Sequence, residues 1–512
     1  MKADPSPSLL FPKLALLLCM GLAVTVCGAE PLWEGTAFQP TVRSQLSSSL
    51  LNVNDSYDVR VPLVQGPGLD HPFESWKVFK SSLLEAFSPG DKRRALIQYA
   101  HQDEQADYSM ETNFFAGYDY RWDDPGRYGF LYKGLRVNSE VNGRFRFRAT
   151  WWNGRFYGDT GAALGSPLVD GTSNLSSNRK LVDNVNGEIS YSGKHLTAAL
   201  GRGKFQIGNS ISGSLVLSER VNDYDFLLLE ERFGAFRFSF AHGTLIADSL
   251  GLDGSLPAKY FALHQMSYQL KDWLELYLGE TVIYGNQLDL SYILPAYFWR
   301  TGKYDLQDRD NLLIYAGANI QPSEELTIYL NGALDELTYN KFYTNWWGNK
   351  YALQAGASLF LPSLALSGDG DPRCTLEFTA VRPWTYTHYA NVSMYSHDQR
   401  PLGYAKGSNL FDLSAELNLP LPAKLRWDSQ ISFTWQGSEG NDWRLNYKDH
   451  FPPEIVGSAE ADWLEGETGF SCLWQSSLRW EIMAHHAFLL GHRSELADAP
   501  GHQFFACWQA SF

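Results

Sequence analysis

The sequence predicts an all-β transmembrane barrel of about eighteen antiparallel strands, with a small N-terminal helical region that is periplasmic or plugs the lumen. Three observations predict it. Apolar and polar residues alternate with period two through most of residues 107–512, as strands with two unlike faces require. The connections between these runs are short and long in turn, the pattern of tight turns on one side of a membrane and loops on the other. Finally, Phe504, Ala506, Trp508, Ala510 and Phe512 share one face of the last run. An apolar face ending in an aromatic residue resembles the sequence by which barrel proteins are recognised for insertion.

The N-terminal stretch 1–29 reads as an export signal. Lys2 and Lys13 precede an apolar run from Leu14 to Val26, and Gly28 and Ala29 follow. A run of about thirteen residues is too short for a helix to span a bilayer, which needs roughly twenty. A lipid anchor on Cys27 would need a small residue before it, and Val26 stands there. Loss of the signal removes Cys19 and Cys27, leaving Cys374, Cys472 and Cys507, an odd set inside strand candidates that predicts packing rather than a disulfide framework. No later segment has eighteen consecutive apolar residues, so no transmembrane helix is predicted.

Residues 30–106 form the predicted helical periplasmic or plug region. Phe73, Trp76, Phe79, Leu83, Leu84 and Phe87 recur at helical steps, stopped by Ser88-Pro89-Gly90. Further helical candidates cover Val42 to Leu51 and Lys92 to Gln102. A barrel of sixteen to eighteen strands leaves an aqueous channel unless it is plugged, and residues 42–106 are the predicted plug.

Residues 107–512 form the predicted barrel. Hairpin turns are read at Asn142-Gly143, Gly193-Lys194, Phe233-Gly234, Lys271-Asp272, Gln321 to Glu324 and Pro420 to Lys424. The last four strands are placed at 425–436, 465–475, 478–490 and 502–512, and the others run back to 108–121. An even count puts both ends of the barrel on the short-turn, periplasmic side. Arg144, Arg146 and Arg148 alternate with Phe145, Phe147 and Ala149. An Arg facing lipid costs roughly 2–4 kcal/mol at the midplane, so these side chains, with Glu275 and Glu481, are predicted to face a polar lumen.

Two stretches carry a family resemblance. One contains Gly201-Arg202, Ser214-Leu215, Ser218, Asp225 and His242-Gly243. The other contains Lys259-Tyr260, His264, Glu280-Thr281-Val282-Ile283-Tyr284-Gly285 and Pro295. Over roughly residues 195–300 their order and spacing resemble the capsule assembly family of outer-membrane proteins typified by Wzi, and Arg400-Pro401-Leu402-Gly403 fits more loosely. The sequence departs from that pattern at Gln206-Ile207-Gly208, where the family tends to have Trp-Gly, and at Gln265, where Arg is expected. The resemblance implies a monomeric eighteen-stranded barrel whose lumen is obstructed by a helical periplasmic portion. It also implies lectin-like retention of capsular or exopolysaccharide at the surface of a Gram-negative cell, without catalysis.

Sugar rings stack on Trp and Tyr while their hydroxyls bond to carboxylates, amides and Arg. The predicted extracellular loops offer Tyr339, Tyr343, Trp346 and Trp347 in one, Trp443, Arg444, Tyr447 and Asp449 in another, and His388, Tyr389, Tyr395, His397 and Asp398 in a third. Of these, Tyr343, Trp346, Trp347, Trp443, Arg444 and Tyr395 are the candidate carbohydrate contacts. The competing reading is that the rings pack the loops over the barrel mouth.

Other classes find no support in the sequence. A net charge of -15 disfavours phosphate neutralisation, so no nucleic-acid partner is expected. His485, His486 and His492 lie on or beside one strand and do not converge as metal ligands. There is no Gly-x-Ser-x-Gly elbow and no His-Glu-x-x-His, so neither cofactor nor enzymatic activity is expected. The expected partners are a surface polysaccharide, outer-membrane lipid and the barrel assembly machinery. The alternative function is a porin-like or gated transport channel.

Overall fold

A computed structural model describes residues 97–511, apart from 103–106, 124–125, 160–180, 219, 252–253, 295–297, 302–308, 365–371, 484–485 and 497–500. The expected export signal, the helical candidates before residue 97, and Phe512 lie outside the described residues.

In chain order the strands are β1 Ile97–Gln102, β2 Asp107–Asp123, β3 Arg127–Val141, β4 Phe145–Gly158, β5 Leu181–Ser192, β6 Leu196–Gly203 and β7 Tyr224–Phe233. They continue with β8 Phe236–Leu245, β9 Lys259–Lys271, β10 Leu274–Gly285, β11 Asn311–Ile320, β12 Leu326–Glu336, β13 Lys350–Phe360 and β14 Arg373–Val381. After a small hairpin, β15 Ser396–His397 with β16 Arg400–Pro401, come β17 Leu410–Leu421, β18 Leu425–Gly437, β19 Thr468–Met483, β20 His486–Leu496 and β21 Gly501–Ser511.

Leaving out β1, β15 and β16, the other eighteen strands pair antiparallel with their neighbours, and β21 returns to β2, so the sheet closes. Closure lets the strands pair with neighbours all round the wall, so their backbone groups find partners within the sheet, as a lipid environment demands. Tight turns form where the local chemistry favours them. Asn142 and Gly143 both have positive φ, 54° and 63°, as a two-residue hairpin of this twist requires.

β1 is an addition to the barrel. It pairs with Asp107 to Thr112 of β2, and β21 pairs with Phe115 to Asp123 of the same strand. The start of β1 and the end of β21 therefore meet at the short-turn rim. The helix expected over Lys92 to Gln102 is thus a strand from Ile97 onward, because β2 offers its edge there.

Parity divides the wall. On β4, Phe145, Phe147 and Trp151 are exposed on the outer face, and Thr150, Trp152 and Phe156 are buried on the inner one. Arg146 and Arg148 share the inner row, as expected, and Arg146 pairs with Glu140 at 3.1 Å, whereas Arg144 stands in the turn. Glu275 is buried inside beside Arg237, and Glu481 lies 3.6 Å from Arg479. Exposed Phe233, Phe236, Trp273, Trp427 and Trp480 form an aromatic girdle near the short-turn rim.

Cross-strand glycines make room for inner rings. Gly356 faces Tyr329, and a Cβ there would sit 2.1 Å from the ring; Gly317 faces Tyr277 in the same way, at 2.3 Å.

One strand pair differs from expectation. The break expected at 476–477 does not occur, and β19 runs on to Met483. Ser476 and Ser477 stay in register with Ser429 and Asp428, and the Trp427 indole donates to Ser476 Oγ at 2.8 Å. A hydroxyl with a partner is tolerated on the outer row, so two serines do not end the strand.

Candidate functional site

The upper lumen is filled by two loops. The described residues of 204–223, between β6 and β7, descend into the barrel and cross it. Asn209 Nδ2 donates to Asn319 on β11 at 3.1 Å, and Asn331 on β12 donates to the Asn209 carbonyl at 3.0 Å. The tip is fastened to Glu377, a fully buried carboxylate midway along β14. Glu377 accepts the N–H groups of Ile211 and Ser212 at 3.0 and 3.1 Å, the Ser210 hydroxyl at 3.2 Å, the Ser212 hydroxyl, and Tyr329 Oη at 2.5 Å. Gln430 on β18 holds the Ile211 carbonyl at 3.0 Å. A buried carboxylate that receives this many donors is a strong clasp.

Residues 382–409 interlock with the first loop from above. Tyr386 Oη donates to the Leu215 carbonyl and Tyr395 Oη to that of Val216, each at 2.8 Å. Leu215, Val216, Leu217 and Val221 pack with Tyr386, Tyr395, Leu402 and Tyr404 in one apolar core with the inner wall. The lumen expected to be polar therefore also holds an apolar core, brought in by the loops, beside buried polar groups such as Glu377 and Lys259. Among the described residues these two loops obstruct the passage, a task the sequence reading gave to residues 42–106.

A second pair of loops lies over the mouth. Residues 337–349 and 456–462 are zipped together by Trp347 N to Ala459 O at 3.2 Å, Ala461 N to Asn345 O at 2.8 Å and Asn345 Nδ2 to Asp462 at 2.5 Å. Trp346 and Trp347 both donate their indole N–H to the Val456 carbonyl, at 3.1 and 2.7 Å, and Trp347 stacks on Phe451 with centroids 4.4 Å apart.

The candidate carbohydrate contacts thus fall into two groups. Trp347, Trp443 and Tyr395 are buried and committed to loop packing, and Trp346 is half-buried on the same core. Tyr343 is 95% exposed, and Arg444 is exposed but held by Asp442 through Nη2 at 2.5 Å. Burial raises the Asp442 carboxyl, but the Arg444 hydrogen bonds and charge outweigh it and hold the group below the usual range. Tyr339, 93% exposed, begins the short 3-10 helix Tyr339–Lys341 four residues before Tyr343, and Phe342 between them is 46% exposed. The Arg444 guanidinium also lies over the Trp443 ring, 5.6 Å from its centroid.

His397, on β15, accepts the backbone N–H of Ile246 through Nδ1 at 2.9 Å and is buried under the mouth. Beside it, Lys259 Nζ reaches Ser396 Oγ at 2.9 Å and Asp248 at 3.3 Å. This cluster pins β15 and β16 to the end of β8.

No family model matches the sequence, and no curated protein matches it. Among solved structures, the barrel is similar to Wzi, an outer-membrane protein involved in group 1 capsule assembly in Escherichia coli and described as a carbohydrate-binding β-barrel. The two are 12% identical over 78% of this chain and 84% of that one, with a TM-score of 0.51. It also resembles OccK3 (OpdO) of Pseudomonas aeruginosa, 10% identical over 80% of this chain and 96% of that one, with a TM-score of 0.45. OccK5 (OpdH) of the same organism is 8% identical over 79% and 98%, with a TM-score of 0.44. The chain is a closed barrel of the outer-membrane type. At these identities the likeness is one of fold, and the barrel's own residues carry the rest of the argument.

The motif residues of 259–299 occupy a place that periodicity did not reveal. Glu280, Val282 and Tyr284 continue the outer row of Leu276 and Leu278, and His264 faces Glu280 across the β9–β10 ladder. His264 Nε2 lies 3.1 Å from Glu280 Oε2. The pair is buried because part of the loop 286–310 lies over the outside of the barrel. Trp299 donates its backbone N–H to Glu280 Oε2 at 2.7 Å and stacks on His264 with centroids 4.1 Å apart. The signal was present in the sequence, since a carboxylate on a lipid-facing row calls for a cover.

Proposed function

We propose that this barrel sits in the outer membrane of a Gram-negative cell and retains a capsular or exopolysaccharide at the surface by lectin-like binding, without bond making or breaking. The long-loop rim faces outward and the strand ends at the short-turn rim face the periplasm, after export and insertion of a monomer by the barrel assembly machinery. The observation that carries the reading is the pair of almost fully exposed rings, Tyr339 and Tyr343, on a long-loop rim where Trp347, Trp443 and Tyr395 are packed away. Exposed rings on an ordered platform present flat apolar faces to sugar rings at low entropic cost. The loops that fill the lumen support a surface role over free diffusion. The fold likeness to a carbohydrate-binding barrel agrees with it.

Deletion of the gene is expected to shift polysaccharide from the cell-attached to the released fraction. Complementation with Tyr339→Ala/Tyr343→Ala would fail to restore the attached fraction while the barrel level stays normal. An unchanged ratio in the deletion strain would sink the retention reading.

The second reading is a gated transport channel. What favours it is that the clasp at Glu377 is made wholly of hydrogen bonds, and that a small cavity lined by Ile207, Leu228, Leu263, Gln265, Tyr277 and Asn319 lies under the crossing loop. Steady single-channel conductance of the intact protein in planar bilayers would favour this second reading over the first.

A further inference from the structure

The described residues of loop 286–310 present two unlike sides. Toward the wall, Tyr292 and Trp299 are buried with Phe240, Ala262, Val282, Tyr284 and Leu312. Those strand residues all belong to outer rows, since Leu276, Leu278 and Met266 in the same rows are exposed and the alternate residues Phe261, Leu263, Ile283 and Leu313 belong to the lumen core. Away from the wall, the loop exposes Leu288 at 50%, Leu290 at 72%, Leu294 at 58% and Phe298 at 65%. Large aliphatic and aromatic side chains exposed together on one loop call for an apolar partner.

The depth of the loop identifies that partner. Its anchor, Glu280, stands seven residues above Trp273 in the short-turn girdle. At ~3.3 Å per residue and a strand tilt of about 40°, the anchor lies roughly 18 Å above that girdle, inside an apolar band ~25 Å tall. Trp299 and Arg300 bond to Glu280 by their backbone N–H groups, at 2.7 and 3.3 Å, so this part of the loop is held at that depth. Tyr292 and Trp299, which neighbour the exposed side chains in the chain, pack on the lipid-facing rows of β10 and β11, the surface that acyl chains already cover.

We propose that residues 286–294 and 298–301 of loop 286–310 form an apron embedded in the outer leaflet, with Leu288, Leu290, Leu294 and Phe298 in contact with lipid acyl chains and the His264–Glu280–Trp299 cluster holding it against the barrel. The cluster and the apolar tips have one joint purpose. The loop hides a carboxylate that lipid would penalise, and the carboxylate fixes the loop where its side chains meet lipid. The apron is independent of polysaccharide binding.

The test places nitroxide spin labels at Leu290→Cys and Phe298→Cys, each in a Cys374→Ser background, with the full chain in lipid nanodiscs. The background protein without an added cysteine controls for labelling of buried Cys472 and Cys507. A label at Tyr343→Cys serves as the aqueous reference. The apron reading expects labels at Leu290 and Phe298 to collide with dissolved oxygen and to be shielded from a water-soluble nickel chelate, the reverse of the label at Tyr343. Adding Glu280→Ala to Phe298→Cys is expected to release the loop and raise nickel access there, with heat-modifiable migration confirming that the barrel itself is folded. Nickel access at both positions in the parent would overturn the proposal. So would spin–spin broadening between labels on different molecules, which would assign the patch to a second copy of the chain.

Discussion

The backbone N–H of Ser212 donates to Glu377 Oε1 at 3.1 Å, joining the tip of a loop between β6 and β7 to the opposite wall of the barrel. Glu377→Ala would leave the N–H groups of Ser212 and Ile211 and the Tyr329 hydroxyl without their acceptor, at about 1–3 kcal/mol for each buried group left unpaired. The loop is expected to leave the lumen while the wall persists. Planar-bilayer recordings should then show openings in the variant that the parent lacks; equal, silent traces would mean that the apolar core alone closes the passage.

Trp347 and Tyr343 are four residues apart and are expected to behave oppositely. Trp347→Ala removes a buried ring from the core it shares with Phe451 and Trp384, a loss of roughly 3–5 kcal/mol in loop packing. Limited proteolysis should cut the mouth loops of this variant faster. Tyr343→Ala deletes an exposed ring and should leave proteolysis unchanged while weakening glycan retention.

Acid should loosen the mouth through His397. Burial, aided by the charges of Lys259 and Arg202 and opposed by the Asp223 backbone and Asp248, pushes its pKa down to about 4. The folded chain therefore holds this imidazole neutral, with Nδ1 free to accept from Ile246. An unfolded His protonates near 6.5, so the folded state binds fewer protons below that pH. The stabilisation is present above about pH 6.5 and is lost as pH falls toward 4. Proteolysis of residues 382–409 should accelerate between pH 7 and 5, and His397→Asn, which does not titrate there, should flatten that response.

Gly356→Val would drive a side chain into the Tyr329 ring, which in turn holds Glu377. The expected result is a folded barrel with the channel activity of the Glu377 variant. If Gly356→Val stays silent in recordings where Glu377→Ala conducts, Tyr329 is dispensable to the clasp.

The wall was legible in the sequence because its determinants are local. Period-two alternation sets the faces, and Asn142-Gly143 or Lys271-Asp272 sets a turn within a few residues. The error at 476–477 has the same origin: two polar residues resemble a turn until the neighbouring Trp427 is known to satisfy one of them. The site was less legible because its determinants are distant. Ser212 and Glu377 are 165 residues apart, and nothing near Trp347 or Tyr395 in the sequence tells a buried ring from an exposed one. The 456–462 segment engages Lys341, Asn345, Trp346 and Trp347, and Tyr339 and Tyr343 stay exposed beside it.

The meeting of β1 and β21 on β2 has a consequence for how the cylinder is sealed. Six pairs with β1 and nine with β21 cover one edge of β2, equal to the fifteen pairs that β3 makes on the other. Without β1, the lower end of the first barrel strand would present bare peptide groups at the short-turn rim, an open template for a foreign strand. The segment that precedes the barrel therefore serves as its selvedge, finishing the one border that closure leaves raw.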